Sequence, residues 1–141
     1  MTQLNAYLSF DGKCAEAMKF YAEVLGAKLE ALITYGQVPG GEPPPASHAD
    51  RIMHAYLVHE GFALMAGDTP PGIPYKGIQG VMLALSFNEN AEAQRVFAAL
   101  AEGGQVQMPM GETFWAEQFG MVTDRYGVPW GINGAPKPMG Q

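Results

Sequence analysis

The stretch Gly111–Asn133, GETFWAEQFGMVTDRYGVPWGIN, decides the fold. It holds both tryptophans, then a strand-like run from Phe119, a tight turn at Tyr126-Gly127 and a second strand-like run to Asn133, the pattern of a β-hairpin. A near copy lies upstream. Set Met53–Met65, MHAYLVHEGFALM, above Phe119–Gly131, FGMVTDRYGVPWG, and the turn glycines and flanking apolar positions coincide. Further back, Tyr7-Leu8-Ser9-Phe10 followed by Ala15-Glu16-Ala17 answers to Ala84-Leu85-Ser86-Phe87 followed by Ala91-Glu92-Ala93. A copied unit must fold the same way twice. Each half therefore reads strand, helix, strand, strand, strand, and the expected fold is α+β, two tandem βαβββ modules.

Working outward along the chain, Leu4, Ala6, Leu8 and Phe10 alternate with Asn5, Tyr7 and Ser9, the period of a half-buried strand running from Leu4 to Phe10. Cys14, Met18, Tyr21 and Leu25 then line one side of a helix stopped by Gly26. A strand follows over Leu29–Tyr35. Gly36–Asp50 carries four prolines and three glycines and reads as a mobile loop beside the ligand site. Ile52–His59 and Phe62–Asp68 form a hairpin across Glu60-Gly61. Thr69–Gly77 is the expected linker, so that one domain over 1–141 divides into a module of about residues 1–68 and another of about 78–135. The second module opens with a strand over Val81–Phe87. Asn88 or Asn90 is expected to cap its helix, which places Ala93, Phe97 and Leu100 on one side and ends at Gly103-Gly104. Gln105–Met110 is the next strand, Gly111–Gln118 an aromatic loop, and GAPKPMGQ after Asn133 a loose tail.

Composition narrows the function. The 141-residue chain is 48% hydrophobic, enough for a sizeable core, and carries only 16% charged residues with a net charge of −6 and no Lys/Arg run. Repulsion from phosphates then excludes nucleic acid as a partner. No apolar run approaches the ~20 residues that span a bilayer, and MTQLNAYLSF has no basic segment before its apolar stretch. The expectation is a cytoplasmic protein with no membrane partner. Cys14 is the single cysteine, so no internal disulfide forms, and its neighbours make it a buried helix position rather than a reactive thiol.

Two βαβββ modules resemble the vicinal oxygen chelate superfamily of glyoxalases, extradiol dioxygenases and bleomycin-resistance proteins. That likeness implies a curled, cup-shaped mixed sheet with helices outside. Within it, YLSFDGKCAEAMKFYAEVLGA, IMHAYLVHEG, LMAGD, ETFWAEQFG and VTDRYGVPWGIN resemble the PhnB-like proteins, also labelled 3-demethylubiquinone methyltransferase-like, over about Leu4–Asn133. A methyltransferase would need a glycine-rich strand-to-helix turn for its cofactor. The only glycine-rich stretch, Gly36–Gly41, leads into prolines, and no cofactor is expected.

The superfamily holds a divalent ion with His and Glu side chains from the first and last strands of each module. Here those positions are Asn5, Met82, Met65 and Gly131, so the resemblance implies that the metal site is missing. Pairing across Glu60-Gly61 puts Val58 opposite Ala63, Tyr56 opposite Met65 and His54 opposite Gly67. His54, Tyr56 and Met65 then share one face, the cup's interior if Met65 holds the ligand position. The same construction at Tyr126-Gly127 puts Asp124, Val122 and Gly120 on the face of Gly131. His54 has three readings: a hydrogen-bonded structural histidine, a ligand contact or proton-transfer group, or a metal ligand. His48 and His59 are expected in solvent. Asp124 reads as the acceptor capping its own turn, Glu112 as an exposed acid beside aromatics and Trp130 as core. Trp115 reads as core, pocket wall or subunit contact.

Two functions follow. One is a binding protein, with Tyr7, Tyr56, Met65, Met82 and Trp115 supplying apolar area for a small, largely apolar molecule and His54 or Asn5 orienting it. The other is a divalent-metal-dependent lyase, isomerase or dioxygenase acting on a small oxygenated substrate, with His54 as its one catalytic candidate. Whether the chain is an enzyme stays open. A homodimer is expected, because a module of roughly 65 residues leaves one sheet face uncovered.

Overall fold

The computed structural model describes residues 2–37 and 44–138. It divides into two compact units, Met1–Gly77 and Ile78–Gln141. The first runs β1 (Ala6–Phe10), α1 (Cys14–Leu25), β2 (Lys28–Thr34), β3 (Ile52–His59) and β4 (Phe62–Asp68). The second runs β5 (Leu83–Ser86), α2 (Asn90–Ala101), β6 (Gln105–Gly111), β7 (Phe119–Thr123) and β8 (Pro129–Asn133). Each unit is therefore βαβββ, as the self-similarity predicts. The sheet orders are β1-β4-β3-β2 and β5-β8-β7-β6. In both, the first strand pairs parallel to the last and the remaining neighbours are antiparallel.

In the first unit α1 buries Cys14, Ala17, Met18, Tyr21 and Val24 against β2, β3 and β4. The sheet answers with Leu8, Phe10, Ala55, Leu57, Leu64 and Ala66, all buried. Burying a side chain the size of Phe10 or Met18 contributes about 1.5–3 kcal/mol, which is what fixes the helix on that side. Gly26 ends α1 in the left-handed region at φ 64°, its N–H on the Ala22 carbonyl. In the second unit Ala93, Val96, Phe97 and Leu100 of α2 pack on β6, β7 and β8 with Val122, Trp130 and Ile132.

Several expectations are corrected. Leu4 is 98% exposed, because the ladder starts at Ala6 opposite Leu64 and Leu4 precedes it. Neither Asn88 nor Asn90 caps α2. The cap position is Glu89, with no side-chain cap bond, while Asn90 Oδ1 accepts the Ala135 N–H at 2.8 Å and its Nδ2 donates to Glu117 at 3.0 Å. The expected loose tail is tied down as far as it is described. Gly134 N–H donates to Gln118 O, Lys137 N–H to Trp115 O, and Glu117 N–H to Ala135 O, and Ala116 bridges Pro136. The loop expected to be mobile has hydrogen-bonded ends, with Tyr35 N–H on Arg51 O at 3.0 Å and Gly36 N–H on Ala49 O at 3.1 Å. Its residues 38–43 lie outside the described residues.

The second hairpin is the largest correction. A two-residue turn at Tyr126-Gly127 would pair Val122 with Gly131. The observed pairs are Val122 with Trp130, Met121 with Gly131 and Thr123 with Pro129. The turn takes up an extra residue, with Gly127 at φ 88°, and a slip of one residue turns every side chain to the other face. Gly120, Val122 and Asp124 therefore face α2, and Met121 shares the face of Gly131. The two halves match with Met65 answering to Gly131 but Tyr56 answering to Met121.

Candidate functional site

Partners in register share a sheet face, and this places the candidate site of the first unit on the side away from α1. Tyr7 of β1 lies opposite Met65 of β4, and Tyr56 of β3 lies opposite the same Met65, as the two-residue turn predicts. The three form a row across three strands. Tyr7 is 51% exposed, and Tyr56 and Met65 are half-buried. His54, also half-buried, stacks on the Tyr7 ring with centroids 6.0 Å apart and planes 26° from parallel. The Tyr7 hydroxyl donates to the Met53 carbonyl at 3.2 Å, and burial raises its phenol pKa above the usual value. A β-carbon on Gly67 would come within 2.7 Å of the Tyr7 oxygen and 2.8 Å of the Met53 carbonyl. Tyr7 keeps its seat because position 67 has no side chain.

Next to this row, at the hairpin end of the sheet, is a cavity of about 430 Å³. It is lined by Gln3, Leu4 and Asn5 before β1, by Tyr56 and Val58 of β3, and by the hairpin residues His59 to Ala63. His59 is exposed, as expected, and its ring lies flat on Phe62, centroids 5.0 Å apart at 12°. His48 is only half-buried and is engaged by Ser47 at 2.9 Å and by Arg51 at 3.4 Å. Arg51 also holds Asp11 at 2.7 Å.

Met82 and Trp115, the other two predicted ligand contacts, belong to the second unit. Met82 covers Gly131, its Sδ and Cε 3.0 and 2.8 Å from where a β-carbon there would stand. The Trp115 indole N–H donates to Asn133 Oδ1 at 2.8 Å, and the ring meets Phe114 and Phe119 edge-on at 5.0 and 5.2 Å. Trp115 is half-buried and Phe114 exposed. Glu112 is exposed, as expected, and Lys137 hydrogen-bonds it and holds its carboxyl below the usual carboxylate range.

Two buried carboxylates have structural work. Asp124 accepts Tyr126 N–H at 2.8 Å and Val128 N–H at 3.1 Å on one oxygen and the Trp130 indole at 2.8 Å on the other, so it caps its own turn as predicted, and Trp130 is core. Asp68 accepts Gly12 N–H at 2.8 Å and Cys14 N–H at 3.0 Å on Oδ1, and Ile52 N–H at 2.8 Å on Oδ2. It closes the N-terminus of α1 from the far end of the unit. Cys14 is fully buried. Burial, followed by the Asp68 charge, pushes its thiol up to about 12, which leaves it inert as a nucleophile. Sequence reading missed Asp68 and Asn133, whose partners lie too far along the chain to give a local signal.

Among the described residues, no three or more His, Cys, Asp or Glu side chains come together as a metal site. Of the four positions that the resemblance marks for donors, Asn5 and Met65 belong to the first unit and Met82 and Gly131 to the second.

Two βαβββ units with parallel first and last strands define the glyoxalase/bleomycin-resistance fold. A glyoxylase/bleomycin resistance protein/dioxygenase domain from Frankia sp. EAN1pec shares it at 14% identity, with a TM-score of 0.65 over 100% of this chain and 96% of that one. Within this class the chain belongs to the family described as 3-demethylubiquinone-9 3-methyltransferase, whose model matches residues 2–133. Protein PA1353 from Pseudomonas aeruginosa is 51% identical, with a TM-score of 0.88 over 95% of this chain and 98% of that one. Protein YjdN of Escherichia coli K12 is 36% identical over 138 residues, 92% of this chain and 93% of the relative.

Proposed function

We propose that this protein binds a small, largely apolar molecule in the cup of its fold, against the open sheet face, and holds it without a hard divalent ion. The observation that carries this reading is the row Tyr7–Met65–Tyr56 beside the 430 Å³ cavity. These are large, mainly apolar side chains on the sheet face opposite the core, Tyr7 exposed and Tyr56 and Met65 half-buried. Covering roughly 200 Å² of apolar surface would contribute about 5 kcal/mol before the cost of association. His54, stacked on Tyr7, and Asn5, at the cavity wall, are the orienting polar groups. In the second unit Met82 and Trp115 are the proposed apolar contacts, with Trp115 steadied by Asn133.

Methyl transfer, the activity in the family's description, is not part of this proposal. The strand-to-helix turn of the first unit spends its Gly12 and Cys14 N–H groups on Asp68. The corresponding turn of the second unit, Phe87-Asn88-Glu89, has no glycine and carries an acid, so neither turn offers the free N–H cradle that such a cofactor uses. The metal-dependent enzyme is disfavoured by the thioether and amide donor set. Elemental analysis after dialysis should find no stoichiometric Zn, Mn, Ni or Fe, and metal lost in His54→Ala would revive that reading. The direct test is calorimetry against a panel of small apolar molecules. Tyr7→Ala and Met65→Ala should each weaken the best binder roughly tenfold, by the loss of a buried contact of about 1.5 kcal/mol. A panel with no binder, or unchanged affinity in both variants, overturns the proposal.

A further inference from the structure

We infer that the ligand entering the cavity at the hairpin end of the first unit carries a protonated amine on its apolar body. This rests on the binding function proposed above and names the ligand class. Among the ten described residues lining the cavity there is one carboxylate, Glu60, one histidine, His59, whose ring lies on Phe62, and no lysine or arginine. The other polar residues of the lining, Gln3, Asn5 and Tyr56, each carry an oxygen able to accept from an N–H. An ammonium group has three donors and no acceptor, which matches a set of oxygens with one negative charge among them. The apolar lining includes two aromatic rings, Tyr56 and Phe62, and a π-face is a second favourable neighbour for a cation.

A carboxylate ligand of the same size finds the reverse. It meets Glu60 with like charge and has no lysine or arginine to pair with, in a chain of net charge −6. A neutral alcohol satisfies the amides but gains nothing from Glu60. Charge on the ligand is thus the property that this cavity discriminates, and its apolar remainder lies toward Val58, Ala63 and the Tyr7–Met65 row. Glu60 is exposed in the turn, so the discrimination is of the size expected for a solvated ion pair.

Three probes sharing one apolar body separate these cases: 2-phenylethylamine, 2-phenylethanol and 3-phenylpropanoate, titrated into the intact protein at neutral pH and followed by amide NMR shifts. The amine should bind roughly two- to five-fold more tightly than the alcohol at low salt, with the acid weakest, and the preference should shrink at high salt. Shifts should centre on Asn5, Tyr56 and Phe62. Glu60→Gln should remove the amine's advantage over the alcohol. Glu23→Gln, an exposed acid on α1 across the sheet, should keep it, which separates the cavity from the overall charge. Alcohol binding as well as amine, a preference surviving Glu60→Gln, or shifts centred elsewhere each overturn the amine inference while leaving the binding function standing. If none of the three probes binds, the amine inference falls, and a wider apolar panel with no binder overturns the binding function as well.

Discussion

Asp68 should be the residue on which the first unit's stability turns. It is 4% exposed and accepts three backbone N–H groups, of which those of Cys14 and Ile52 are buried and that of Gly12 is part-buried. Asp68→Ala removes all three acceptors at once. A buried donor left unmade costs about 1–3 kcal/mol, and the part-buried Gly12 group less, so the loss should be on the order of 3–6 kcal/mol. That is a large share of the 5–15 kcal/mol typical of a folded domain. Asp68→Asn keeps the shape and an oxygen for Gly12 and Cys14 but turns an amide NH₂ toward the Ile52 N–H, donor against donor, for about 1–3 kcal/mol. Urea unfolding followed by far-UV circular dichroism measures both. Tryptophan fluorescence, followed in parallel, reports the second unit, which holds both Trp115 and Trp130. An alanine variant within 1 kcal/mol of the parent, or an asparagine variant less stable than the alanine one, would refute the reasoning.

Gly67→Ala should destabilise the protein by about 1–3 kcal/mol and weaken ligand binding, because the new methyl meets the Met53 carbonyl and the Tyr7 hydroxyl. Unchanged binding with a normal urea midpoint would show that Tyr7 has another seat. The Cys14 thiol, ordinarily near 9.0, sits at about 12 in the folded chain. The folded state thus keeps a proton that the unfolded state releases above pH 9. Its contribution is fully present below pH 9 and is lost as pH rises toward 12, on the order of 4 kcal/mol over the whole window. Cys14→Ala should flatten that alkaline limb, and equal slopes in both proteins would count against it. Light scattering at micromolar concentration should give a particle about twice the 15.1 kDa chain, since Tyr7, Met82, Val106 and Met108 are exposed in the single chain. A monomer would refute the expected homodimer.

The first hairpin was legible to the residue. Its two-residue turn at Glu60-Gly61 leaves one register compatible with burying Leu57 and Leu64, so Tyr56 opposite Met65 follows from local pattern alone. The second was not, because a run through Tyr126-Gly127 accommodates either a two-residue turn or one residue more. Burial of Val122, Asp124 and Trp130 against α2 selects the longer turn. For Leu4, alternation gave a strand residue, but a side chain is buried only if something stands over it. The Asn90 cap failed for a related reason, since its amide finds better partners in Ala135 and Glu117.

The sequence by itself determined the repeated βαβββ order, the buried stripe of each helix except that Val24 rather than Leu25 ends that of α1, and the role of Asp124, because each is set within a few residues. Helix and strand periods are properties of the local chain, and the partners of Asp124 lie two, four and six residues on. Only the tertiary structure decided that Asp68 closes α1, at separations of 56, 54 and 16 residues, that Asn133 steadies Trp115, and that Tyr7 rests over Gly67. A carboxylate, an amide or a gap left by glycine has no preferred partner of its own. It takes the one that packing of the apolar faces carries to it.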